Sequence, residues 1–115
     1  MHEVLFDDHF LDGTDVTTLD FAKTMTEEGF HPMTMYFPLV VHGAMLIEPT
    51  ESESKASLDE FISVLRALAE AAQGGDSERF KEAPRLTPRR RLDETVAARH
   101  PVLRWQPHAS RSPTR

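Results

Sequence analysis

Six histidines, at positions 2, 9, 31, 42, 100 and 108, are the first residues here that could hold a metal or move a proton. No two of them stand at i, i+3 or i+4, and none falls in a recognised carboxylate-ligand pattern, so the spacing does not spell a metal site. The absence of cysteine removes disulfides, thiolate nucleophiles and cysteine-ligated zinc, and leaves the redox compartment open. Ser52, Ser54 and Ser57 stand where a helix begins rather than in a Gly-x-Ser-x-Gly elbow, and capping accounts for them better than nucleophilic catalysis. Gly74-Gly75 closes a helical pattern and follows no strand, so it is not a phosphate loop. Glu48-Pro49-Thr50 is more informative. A carboxylate at a strand end beside a helix start is a place where sites are often built, with helix capping as the competing role.

The net charge of −6 hides a division. Residues 1–78 hold three basic and sixteen acidic side chains (−13), whereas residues 79–115 hold ten basic and three acidic ones (+7). Arg89-Arg90-Arg91, Arg99 and Arg104 beside Trp105 offer phosphate contacts and a stacking ring. The acidic front would repel a polyanion and no nucleic-acid-binding fold is spelled, so the better reading is a basic tail lying along an acidic protein surface, its own or a partner's. No apolar run approaches the ~18 residues of a membrane span, and MHEVLFDDH carries acids where a signal peptide needs basic residues. A soluble, cytoplasmic protein is the expectation, with neither nucleic acid nor membrane as partner.

Glu3 to Phe6 reads as a short strand. Thr17 and Asp20 form a variant capping box, Val16 and Phe21 occupy the hydrophobic-staple positions, and Gly29 supplies a left-handed stop, which predicts a helix from about Thr18 to Glu28. Leu19, Ala22 and Met25 should face one side of it, Lys23 and Thr24 the other. Met33 to Phe37 and Ala44 to Glu48 read as strands. Leu58, Phe61, Ile62, Leu65, Leu68, Ala69 and Ala72 fall on one helical stripe, capped by Thr50, Ser52 or Ser54 and ended by Gly74-Gly75. The expected class is α+β, a short sheet with two helices on one face, in a domain spanning 1–75. Residues 76–105 read as an extended basic tail, with a short helix possible at Leu92 to Arg99, and 106–115 as disordered.

The connection between the second and third strands is apolar, which is unusual because connections run over the surface and are normally polar. Leu39, Val40 and Val41, bounded by Pro38 and Gly43, therefore read as a contact surface for something outside this chain. In isolation the same surface should promote self-association.

The string GFHPMTMYFPLVVHGAMLIEPTESESKASLDEFI, with TTLDFAKTMTEEGF before it and RRLDETVAARHPVLRW after it, resembles the C-terminal end of glycine dehydrogenase (decarboxylating), the P-protein of the glycine cleavage system. YFPLVVHGAMLIEPTESES is most similar to the second subunit of the two-chain form, and the resemblance covers roughly residues 2 to 105. It implies the small C-terminal domain of an aminotransferase-like, pyridoxal-phosphate-dependent fold. In that family glycine loses its carboxylate as carbon dioxide and its aminomethyl group passes to the lipoyl arm of the H-protein. The partners implied are the remainder of the P-protein or its other subunit, and the H-protein.

The family's Schiff-base lysine follows a histidine, and none of Lys23, Lys55 and Lys81 does. No catalytic or cofactor-binding residue carries over, and no cofactor is expected in this chain alone. His31, Glu48 and Thr50 lie in the matching blocks and are candidates for the mouth of an active site completed elsewhere. The expected function is thus a C-terminal piece of glycine decarboxylase that is inactive alone. The alternatives are a non-catalytic interaction module for glycine cleavage proteins and, further off, a nucleic-acid accessory protein.

Overall fold

The computed structural model describes residues 2–105. Its elements run β1 (Val4–Phe6), a single 3-10 turn (His9–Leu11), α1 (Thr18–Glu27), β2 (Thr34–Met35), β3 (Met45–Ile47), α2 (Lys55–Gln73), α3 (Ser77–Glu82) and α4 (Glu94–Arg99). The strands form one antiparallel sheet in the order β1-β3-β2, with Val4 opposite Ile47 and Thr34 opposite Leu46. Strand alternation then sends Met35, Met45 and Ile47 toward the helices and Leu5, Thr34 and Leu46 to the other face.

The start of α1 follows from local chemistry. The Asp20 amide donates to the Thr17 hydroxyl at 3.2 Å, and the Thr17 amide donates back to Asp20 Oδ2 at 3.0 Å, so two orphan donors of the helix end are satisfied. The helix ends with Gly29 at φ +90° and Phe30 N–H donating to the Met25 carbonyl at 3.1 Å, a Schellman arrangement that the missing Cβ permits. Helix α2 is capped by Ser54, which accepts from the Ser57 amide. Thr50 instead closes a turn in the preceding loop, its carbonyl accepting from the Glu53 amide at 3.1 Å.

Three features differ from the sequence reading. The second strand stops at Met35 rather than Phe37, because Tyr36 takes φ +58° and turns the chain before a cis Phe37-Pro38 bond. Thr24 is fully buried instead of facing solvent, its hydroxyl donating to the Asp20 carbonyl at 2.9 Å. The physical reason is the third difference: the segment expected to be extended from residue 76 forms α3, which packs on the second side of α1. Among the described residues the sheet is accompanied by four helices, α3 being the one not expected. The short helix expected near Leu92 to Arg99 is α4, and the reading of 106–115 lies outside the described residues.

Phe80 and Ala83 have no exposed surface, and the Phe80 ring stacks on Phe21 at 6.1 Å with 15° between planes. The core joins Phe21, Met25, Met45, Leu68, Ala72 and Phe80. The α2 stripe is only partly covered: Leu68 and Ala72 are buried, Phe61 and Leu65 lie against the core's edge, and Ile62 is half exposed.

Part of the basic segment meets the acidic part within the chain. Arg79 pairs with Glu28, Arg85 with Glu27, and both Lys81 and Arg91 with Asp20, so the basic segment lies along the acidic side of α1.

Gly43 sits where another residue would not fit. Its φ is +56°, a Cβ would stand 2.1 Å from Asp8 Cγ, and its carbonyl accepts from the buried Thr18 hydroxyl at 2.9 Å. Gly43→Ala is expected to lower stability by about 1–3 kcal/mol, the range for overpacking, with the left-handed backbone adding to it. Urea unfolding of the two chains measures the difference, and an unchanged midpoint would contradict it.

Candidate functional site

Five pieces of chain meet at one end of the sheet. The α1-to-β2 connection brings Phe30 and His31, β2 brings Thr34, β3 brings Leu46, the following loop brings Glu48 and Thr50, and the first turns of α2 bring Ser57 and Phe61. They line a cleft of about 450 Å³. Phe30 and Phe61 meet edge to face at 5.5 Å and 70°, giving an apolar, rigid wall. The three residues singled out in the sequence, His31, Glu48 and Thr50, therefore stand around a single opening although 19 positions separate the first from the last.

All three are exposed, and among the described residues no hydrogen bond joins any of them to another. Thr50 Oγ1 instead lies 2.7 Å from Ser52 Oγ. The cleft offers an imidazole, a carboxylate and a hydroxyl above an aromatic wall, which suits holding and orienting a polar group. Among the described residues, two of its hydroxyls bond to serines, Thr50 to Ser52 and Ser57 to Ser54. Glu53 and Ser57 also line it, and the sequence reading missed them because each stood in a stretch already explained by helix capping.

The three lysines stand away from the cleft. Lys23 Nζ lies 3.7 Å from Glu94, Lys55 pairs with Asp59, and Lys81 lies 2.9 Å from Asp20. Each pairs with a carboxylate and none lines the cleft.

The apolar connection stands apart from the core. Leu39 is 86% and Val40 91% exposed, while Val41 is partly covered. The loop is nonetheless anchored, because the Val41 amide donates to the Pro38 carbonyl at 3.1 Å and His42 Nδ1 lies 2.9 Å from Asp8 Oδ1. That hydrogen bond and the charge of Asp8 raise the pKa of the His42 imidazole. Two exposed aliphatic side chains are thus displayed on a fixed loop.

The family model described as "Glycine dehydrogenase, C-terminal domain" matches residues 1–86. The chain is 74% identical over 110 residues to the "Probable glycine dehydrogenase (decarboxylating) subunit 2" of Caulobacter vibrioides, covering 96% of this chain and 21% of that protein. It is 50% identical over 105 residues to the protein of the same description from Caldanaerobacter subterraneus, covering 91% of this chain and again 21% of the relative. The chain thus spans about a fifth of the length of the curated relatives it matches. On these grounds the chain belongs to the glycine dehydrogenase C-terminal domain family.

Proposed function

We propose that this chain serves as the small C-terminal domain of the second subunit of a two-chain glycine dehydrogenase (decarboxylating), and that it is inactive without the rest of that enzyme. The observation that carries the reading is the 74% identity over nearly the whole chain to a protein described as such a subunit. The aminotransferase-like fold, the pyridoxal phosphate cofactor and the lipoyl-bearing H-protein as acceptor follow from the same family reading. When bound, the cofactor supplies the electron sink for loss of carbon dioxide from glycine. None of Lys23, Lys55 and Lys81 follows a histidine as the family's lysine does, so that lysine would come from outside these 115 residues.

This chain's own part is to shape the entrance. His31, Glu48 and Thr50 surround a cleft that the larger part of the subunit would roof, and they would orient the polar ends of what enters. Leu39 and Val40 would dock against that larger part or the other subunit. Burial contributes about 1.5–3 kcal/mol for each such side chain when complete.

The test uses a chimera in which this chain replaces the matching C-terminal fifth of the Caulobacter vibrioides relative, assembled with that organism's other subunit. In it His31→Ala, Glu48→Gln and Thr50→Ala are each expected to lower carbon dioxide release from glycine about 10-fold or more through misplacement, while sedimentation of the complex is unchanged. Full activity in all three variants would remove the cleft from the proposal. Leu39→Asp with Val40→Asp is expected to weaken assembly instead.

A further inference from the structure

The order β1-β3-β2 leaves β1 at an edge of the sheet, and among the described residues it pairs only with β3. Edge strands are ordinarily blunted by charges, proline or a bulge, because unpaired backbone groups recruit other strands. Here the strand is Val4-Leu5-Phe6, with Glu3 and Asp7 only at its ends. Its three side chains are 43–46% exposed, on both faces.

Each face opens into an apolar hollow. Phe6 borders a cavity of about 400 Å³ with Ile47, Ile62 and Leu65, beneath the uncovered part of the α2 stripe. Leu5, on the opposite face, borders a cleft of about 570 Å³ with Phe37, Pro38 and Leu46. A strand that is apolar on both faces has the pattern of a strand inside a sheet, covered above and below, rather than of an edge. A partner laid flat on one face would cover only half of this surface and leave the edge amides open. A strand added alongside β1 would satisfy the edge and carry alternate side chains into both hollows at once.

We propose that the free edge of β1 is completed by a β-strand from the part of the subunit outside these 115 residues, with apolar side chains on both of its faces. The curated relatives have about four-fifths of their length outside the matched region, which supplies the polypeptide. The inference rests on the reading of the chain as one domain of that subunit.

Hydrogen–deuterium exchange of the backbone amides of residues 3–7 tests it, in the 115-residue chain alone and in the assembled chimera. Alone, amides aimed away from β3 should exchange within seconds and those aimed toward it more slowly. In the chimera all should be slowed by about 100-fold or more, since a buried amide without a hydrogen-bond partner is rare. A chimera that releases carbon dioxide yet leaves the outward amides fast overturns this inference and spares the functional reading. An inactive chimera with a protected β1 does the reverse. Protection in the isolated chain that vanishes on dilution would identify a second copy as the occupant and also overturn the proposal.

Discussion

A chain ended at Gly75 is expected not to fold. Residues 77–91 contribute Phe80 and Ala83, both without exposed surface, and the Lys81 and Arg91 cations that hold Asp20. Removing them bares Phe21, on which Phe80 stacks, and leaves the Asp20 carboxylate without its two cationic partners. The single change Phe80→Ala in the intact chain should already cost about 3–5 kcal/mol, a large part of the ~5–15 kcal/mol available to a domain of this size. Far-UV circular dichroism and thermal melting measure both. A cooperative transition of the 1–75 chain at the temperature of the parent would show that α3 is an appendage and not part of the core.

The second large effect centres on Asp20, which is 3% exposed. Burial alone would raise its pKa. The Thr17 amide, the Lys81 ammonium at 2.9 Å, the Thr17 hydroxyl and the Arg91 guanidinium at 2.7 Å together outweigh that and lower it to about 2. Arg91 also donates through Nε to the Ala83 carbonyl and through a second terminal nitrogen to the Phe80 carbonyl, both at 2.8 Å. One guanidinium thus satisfies the end of α3 and ties it to the start of α1. Asp20→Ala is expected to destabilise the chain by about 2–3 kcal/mol, because it removes half of a capping box and a buried carboxylate whose two cationic partners keep access to solvent.

The same carboxylate gives a pH signature. Its folded pKa lies below the unfolded value, so its contribution is fully present above pH 3.8 and is lost as pH falls toward 2. The shift corresponds to on the order of 2 kcal/mol. Urea unfolding of the parent and of Asp20→Asn across that window should give a difference that shrinks on acidification. A difference independent of pH would contradict the ionised clasp.

Much of this arrangement was legible in the sequence where a short-range rule decides it. Thr17, Asp20 and Gly29 mark both ends of α1 because caps depend on residues within one turn. The period of α2 was equally plain. What periodicity cannot reveal is how much of a stripe the chain itself covers, and Ile62 remains half exposed. Helix α3 was missed because six residues with one large apolar side chain, Phe80, carry no detectable period. Arg91 was hidden inside a run of three arginines, and only the tertiary fold singles it out for Asp20. Glu48 and Thr50 stand out at a strand end beside a helix start, whereas His31 is pointed to by the family resemblance alone. Their meeting in one cleft depends on β2 and β3 pairing, which places the α1-to-β2 connection beside the loop leading into α2.

The most direct test of the central claim is carbon dioxide release from carboxyl-labelled glycine by the chimera described above, measured with pyridoxal phosphate, the other subunit and lipoylated H-protein, beside the 115-residue chain alone. Activity within about tenfold of the parent enzyme is expected in the chimera, and none in the isolated chain. A chimera that folds, assembles with its partner subunit and still releases no carbon dioxide would contradict the claim, as would decarboxylation by the isolated chain.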